Sequence, residues 1–268
     1  MLDLLRAVVL GIIEGLTEFL PVSSTGHMIL AMPALKIDPE KAPWSTFLYF
    51  IQIGAVLAII IYFWKRLWRQ LLRLRVGGFK NHLLTKLVVA SIPAAAVGLP
   101  FNSWIEDHLE KPPFVALALI LGAGVMEWVE RRYWRKEEGD ASGVTLRQAF
   151  LIGVAQCFSI FRGMSRAMST IMGGLVVGLS PPVAAEFSFY LAIPTLLGAG
   201  LLKLVKHRNE LHSEEAVLLG VGFMTAFVCA MLVVHPFMQF VKRRRLRPFA
   251  IYRVLLGAAV LAWWSQSR

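Results

Sequence analysis

Charge is scarce in this 268-residue chain. Asp, Glu, Lys and Arg make up 17% of it, against about 25% in an ordinary soluble protein. That scarcity excludes a soluble domain of the usual make-up. Acid is scarcer than base, with 17 Asp and Glu against 28 Lys and Arg, a formal charge of +11. Cysteine is nearly absent. Cys157 and Cys229 both fall in apolar segments and read as small hydrophobes, which leaves no disulfide framework and no thiolate metal site. The first residues lack the cationic region and small-residue cleavage site of a signal peptide, so the opening segment is read as mature protein.

Apolar residues are what the chain has, 57% of it, gathered in runs. Runs of this length point to a polytopic, all-α membrane protein. Six spans are predicted: Phe47–Phe63, Leu83–Phe101, Phe114–Val129, Phe187–Leu202, Ala216–Val241 and Phe249–Trp264. Two more apolar segments, Leu4–Leu35 and Ala149–Leu179, are interrupted by Pro, Gly, Ser and charge. They read as re-entrant or discontinuous helices, which survive at membrane depth only where protein or a wet cavity covers them.

The basic excess suggests nucleic acid only until its placement is considered. The cations sit in short loops between spans: Lys65, Arg66, Arg69, Arg73, Arg75 and Lys80; then Arg131, Arg132, Arg135, Lys136 and Arg147; then Lys242–Arg245 and Arg247. The positive-inside rule puts all three clusters in the cytoplasm, which is self-consistent with six spans and both ends outside. A nucleic-acid partner is therefore not expected. Trp64, Trp68, Trp134, Trp263 and Trp264 near span ends suit interfacial belts.

Segments about 140 residues apart match. Gly11-Ile-Ile-Glu14 aligns with Gly153-Val-Ala-Gln156, and Ser23-Ser24 falls on Ser165-Arg166 at the same offset of 142. Phe114–Ala123 aligns with Phe249–Ala258 at an offset of 135. Each half holds one broken segment and three spans. Three is odd, so the second half enters the membrane inverted. Such repeats place a site near the midplane where two broken helices meet. The expected organisation is one membrane domain, 1–268, with halves 1–135 and 145–268 joined by a cytoplasmic linker, 136–144.

The first polar tip lies within Glu14-Gly-Leu-Thr-Glu18-Phe-Leu-Pro-Val-Ser-Ser-Thr-Gly-His27. Glu14 and Glu18 share a helix face, about 6 Å apart along the axis. Like charges that close in low dielectric need a proton, a bridging cation or water. A solvated i,i+4 pair is the plainer reading, but Leu16, Phe19 and Leu20 leave little polar face. Pro21 ends the helix. Ser23, Ser24, Thr25 and Gly26 then offer hydroxyls and backbone N–H groups suited to phosphate oxygens. His27 is a candidate acid, base or nucleophile. The second tip is Arg162-Gly-Met-Ser-Arg-Ala-Met-Ser-Thr170. Arg166, beside Ser165 and Thr170, offers bidentate phosphate recognition. Together these are the components of phosphoryl transfer. Gln52, Lys86, Glu186, His235 and Arg253 read as interhelical polar contacts.

These motifs resemble those of the undecaprenyl pyrophosphate phosphatase family, the bacitracin-resistance integral membrane phosphatases. The Glu14–His27 motif agrees throughout. Gln52-Ile-Gly54, Ala185–Phe189, Pro194 with Gly198-Ala199, and Phe249–Arg253 also look like the family, so the resemblance covers nearly the whole chain. It implies six transmembrane helices plus two re-entrant helix pairs in an inverted repeat, in the bacterial cytoplasmic membrane, with the site open to the periplasm or cell exterior. The implied activity removes the terminal phosphate of undecaprenyl pyrophosphate, recycling a lipid carrier for peptidoglycan synthesis, aided by a divalent cation, Mg²⁺ or Ca²⁺. On this reading Arg166 grips the diphosphate with Ser165, Thr170 and the Ser23–Gly26 turn. Glu14 and Glu18 hold the cation or manage protons, and either Ser24 or His27 is the nucleophile. The second tip departs from the family pattern: Arg162 stands where the family has proline and Ala167 where it has serine. Leu48 stands where it favours glutamate. A lipid carrier or flippase on the same architecture is the alternative. The expected partners are the polyprenyl pyrophosphate and membrane lipids, with a homodimer left open.

Overall fold

The structure is a computed structural model and describes residues 1–39, 41, 43–72, 82–109, 111–135, 141–206 and 215–266. Arg73, Arg75, Lys80, Lys136 and most of the expected linker lie outside the described residues. Among those described, every regular element is helical. In chain order they are α1 (Leu2–Thr17), α2 (Ser24–Ala34), α3 (Trp44–Tyr62), α4 (Trp64–Leu72), α5 (Leu83–Leu109), α6 (Pro112–Tyr133), α7 (Leu146–Gln156), α8 (Arg166–Val176), α9 (Pro181–Lys206), α10 (Ala216–Arg243) and α11 (Arg247–Gln266).

Five helices are long and apolar enough to cross a membrane: α3, α6, the Pro181–Leu202 part of α9, α10 and α11. In α5 the apolar stretch is shorter, Leu83–Gly98. Large apolar side chains face outward along these helices, among them Leu117 and Leu121 on α6, Leu232 on α10 and Leu255 on α11. Exposed apolar surface on this scale is stable only against lipid. The chain is a multi-pass membrane protein. Helix α4 follows α3 directly and is amphipathic, with Trp64 and Trp68 exposed and stacked 5.6 Å apart.

Local sequence sets the helix ends. Pro112 opens α6, where its missing N–H is not needed. Thr145 and Gln148 form a capping box at the start of α7. Both broken segments are two helices joined by a turn, α1 to α2 and α7 to α8. Each second helix begins behind a serine with positive φ, Ser23 at 70° and Ser165 at 71°. Each of these serines accepts a hydrogen bond from the N–H three residues on. Each second helix also ends alike. The N–H of Ile37 reaches Met32 O and that of Leu179 reaches Gly174 O, with Lys36 and Gly178 at positive φ.

The packing partners recur in pairs. Helix α1 lies on α10, and α7 lies on α5; α3 touches α10, and α9 touches α5; α2 meets α11, and α8 meets α6. Close approach at the first two contacts needs glycine. A Cβ on Gly11 would sit 2.7 Å from Gly222 O, and one on Gly153 would overlap Ala90 O. A layer of buried rings fills the middle: Phe19 is 5.4 Å from Phe189, and Phe63 is 5.1 Å from Tyr190.

Candidate active site

The turns before α2 and α8 converge on one cavity of about 500 Å³. Glu18, Ser23, Ser24 and Thr25 line it from the first turn. Gln156, Ser159, Arg162, Ser165 and Arg166 line it from the second. Two helix N-termini with their first-turn amides thus border one space, which favours an anion there.

A chain of three side chains joins the two turns. Ser24 Oγ donates to Glu18 Oε2 at 2.6 Å. Arg166 Nη2 donates to Glu18 Oε1 at 3.3 Å, with the two side chains 9% and 7% exposed. Arg166 Nη1 donates to Ser188 O at 3.0 Å, and its guanidinium lies 5.6 Å above the Phe19 ring. Among the described residues Arg166 Nε has no hydrogen-bond partner. An arginine so anchored keeps donors unspent beside the cavity. Thr170 is buried behind it, sharing a 2.6 Å hydrogen bond with Ser188 Oγ. It braces the segment that holds Arg166 and does not line the cavity.

Glu14 lies one turn before Glu18 and is buried, and among the described residues its Oε1 has no hydrogen-bond partner. The same is true of Gln156 Oε1. Among the described residues no three His, Cys, Asp or Glu side chains gather. Two neighbouring carboxylates with one oxygen unsatisfied do fit a hard cation that takes its other ligands from phosphate and water. Glu14 and Glu18 would be the holders.

Glu14, like Thr170, is absent from the cavity lining, and two more residues expected there sit differently. Gly26 packs on Leu119 and Leu256, and its N–H is spent on Ser23 Oγ. His27 has both ring nitrogens engaged, Nδ1 with Ser23 O at 2.8 Å and Nε2 with Tyr252 OH at 2.7 Å. A carbonyl only accepts, so Nδ1 carries the proton and Nε2 accepts from tyrosine. The His27 and Tyr252 rings stack 5.5 Å apart.

Sequence reasoning did not single out Gln156, Ser188 or Tyr252 for the site. Gln156 was legible from its alignment with Glu14; the other two lie in the family-like stretches Ala185–Phe189 and Phe249–Arg253, which gave them no role. The residues read as interhelical contacts do pair. Glu186 meets Arg66 at 2.8 Å and accepts from Tyr190, Lys86 Nζ donates to Ser142 O, and His235 meets Tyr62. Gln52 lines the cavity instead.

Comparison with known proteins identifies the family. The family model described as "Bacitracin resistance protein BacA" matches residues 7–259. The chain belongs to the BacA family. A protein of Caldanaerobacter subterraneus subsp. tengcongensis named undecaprenyl-diphosphatase is 45% identical over 259 residues, 96% of this chain and 95% of the relative. Proteins of the same name from Acinetobacter baumannii (strain ATCC 17978) and Clostridium tetani are 42% and 41% identical. These alignments span 97% of this chain and 95% and 96% of those relatives.

Proposed function

We propose that this BacA-family chain is an undecaprenyl-diphosphatase that cleaves the terminal phosphate from undecaprenyl diphosphate. The observation that carries this is the Ser24–Glu18–Arg166 chain at the meeting of two helix N-termini. It puts a hydroxyl on a carboxylate base and a guanidinium beside an anion-binding space. The relatives are named for a hydrolase, which sets this reading ahead of a lipid carrier.

The diphosphate enters the cavity against the amides of both turns and the guanidinium of Arg166. Ser24 Oγ attacks the terminal phosphorus, and Glu18 takes its proton. The bridging P–O bond breaks, and undecaprenyl phosphate leaves past Arg166 with the proton from Glu18 on its oxygen. Water then attacks the phosphoserine; Glu18, ionised again, takes a water proton and passes it to Ser24 Oγ as that P–O bond breaks, releasing inorganic phosphate. A divalent cation held by Glu14 and Glu18 would neutralise phosphate charge. The 2.6 Å contact to Glu18 favours Ser24 over His27 as nucleophile. The prenyl tail lies along the apolar wall formed by Ala94 and Ala95 of α5 with Pro194, Leu196, Ala199 and Leu202 of α9.

The architecture we assign is six crossings, with α5 as the sixth, and two re-entrant helix pairs. Halves 1–135 and 145–268 are related by an inverted repeat, joined by a cytoplasmic linker at 136–144. Its support is the paired contacts of the two halves and the 142-residue offset shared by Ser23 with Ser165 and by Lys36 with Gly178. The cavity wall runs along α5 and α9 away from Lys65, Arg66, Arg69 and Lys242, which line a second cavity at the C-terminal end of α3. With the cations inside, the site opens to the periplasm or cell exterior, from the cytoplasmic membrane of a bacterium.

The test is phosphate release by the purified protein from undecaprenyl diphosphate, with and without chelator. Release that falls on chelation and returns with Mg²⁺ or Ca²⁺ is expected. No release under any of these conditions would refute the hydrolase.

A further inference from the structure

Among the described residues Arg253 is the largest side chain with no exposed surface. It sits in α11, and among the described residues it has no carboxylate partner. Its guanidinium instead donates to four backbone carbonyls. Nε reaches Leu119 O at 3.2 Å, and Nη2 reaches Ala118 O at 3.3 Å. Nη1 reaches Pro21 O at 3.3 Å, and Nη2 also reaches Gly163 O at 3.0 Å. The first two acceptors belong to α6. The last two belong to the turns before α2 and α8, each two residues before the positive-φ serine.

A helix broken at membrane depth leaves carbonyls without intrahelical partners, and lipid offers no water to satisfy them. Two such breaks meet here, and one planar group with five donors serves both. The local packing leaves room for nothing else. A Cβ on Gly122 would overlap Arg253 Nη2, and a Cβ on Gly163, whose φ is +97°, would overlap Val115 O. The same helix turn carries Tyr252, which holds His27 of α2.

We propose that Arg253 is a positioning residue of the phosphatase. By bonding Pro21 O and Gly163 O with one rigid fork it sets the register of Ser23 and Ser24 against Ser165 and Arg166. The Ser24–Glu18–Arg166 chain spans those two turns, so its 2.6 and 3.3 Å contacts depend on that register. The proposal rests on the hydrolase reading for its kinetics but not for its geometry. Lysine keeps the charge but cannot reach carbonyls in four directions. A misplacement of 1 Å in a reacting group costs about 10²-fold in rate.

Three measurements test it on full-length protein in detergent or nanodiscs. Arg253→Lys is expected to lower kcat by roughly 10–100-fold with KM little changed. In a double-mutant cycle its loss should largely vanish on an Arg166→Lys background, because both act through the same register. Spin labels at Thr25 and Arg162, with Cys157 and Cys229 replaced, should give a narrow distance distribution that broadens in Arg253→Lys. Gly163→Ala, which displaces the acceptor rather than the donor, is the second variant and should behave alike. Wild-type kcat in Arg253→Lys, losses that multiply in the cycle, or an unchanged distance distribution would overturn the proposal. So would unfolding of both variants, which would assign Arg253 to the fold alone. A wild type that releases no phosphate would instead refute the hydrolase, and the distance measurement would still judge the clamp.

Discussion

Changing Glu18 to glutamine tests the centre of the site. The substitution keeps shape and volume and replaces one carboxylate oxygen by an NH₂ donor. Oε1 faces the Arg166 donor and Oε2 faces the Ser24 hydroxyl. Either orientation of the amide therefore spoils one bond. With NH₂ toward Arg166 two donors face each other. With NH₂ toward Ser24 the hydroxyl accepts and its proton has no base. Loss of general-base activation costs about 10²–10⁴ in rate, which is the expected fall in kcat. Stability suffers too, because Arg166 is left in a nearly dry site. Removing one partner of a buried pair costs about 3–5 kcal/mol. Glu14 nearby and the retained Ser188 O bond place the loss at the lower end of that range. The assay is phosphate release under saturating substrate, paired with thermal unfolding of the same preparation. On a Ser24→Ala background Glu18→Gln should add little, since the base then has no hydroxyl to activate. Folded Glu18→Gln protein with kcat within threefold of wild type would refute the assignment of Glu18 as base.

Arg166→Lys should lose roughly 10²–10³ in kcat, as other preorganised donors do when removed, while Arg162→Ala should lose far less; the reverse order would mean that the phosphate clamp is built around Arg162. Gly153→Leu should prevent α7 from docking on α5 and yield little folded protein, whereas Gly220→Ala, which meets no neighbour, should leave thermal unfolding unchanged; a stable Gly153→Leu would contradict the close approach to Ala90 O. Single cysteines at Lys111 and Arg132, in protein lacking Cys157 and Cys229, test orientation with a membrane-impermeant thiol reagent on intact cells. Labelling at 111 alone is expected, and labelling at 132 alone would turn the site toward the cytoplasm.

Much of this site was legible in the chain itself. Polar residues inside apolar runs are costly, so Glu14, Glu18, Ser23–Thr25 and Arg166 stood out without any structure. The contacts among them were less legible. Ser24 and Glu18 are near neighbours in the chain, but the segment also holds Glu14, Thr25 and His27, and nothing local says which hydroxyl meets which carboxylate. His27 shows the limit most clearly. Its residue type suits catalysis, yet its partner Tyr252 lies at the far end of the sequence and turns it toward α11. Thr170 and Gly26 looked like ligands of phosphate because they sit in the motifs. Helical geometry turns one onto Ser188 and the other onto Leu119 and Leu256.

The sequence by itself determined the membrane class, the broken segments, the residue types at both tips and the family. Each of these is a local property: hydrophobic run length, a proline or glycine that stops a helix, or a motif within a few turns. Only the tertiary structure decided that the tips share one cavity, that Glu18 bridges Ser24 to Arg166, and that Arg253 binds the carbonyls of both turns. Those contacts join residues 148, 232 and 90 positions apart. They arise because helices with glycine faces pack closely enough to bring two unsatisfied helix breaks together. The carbonyls left open there bond Arg253, while Ser24, Glu18 and Arg166 bond one another.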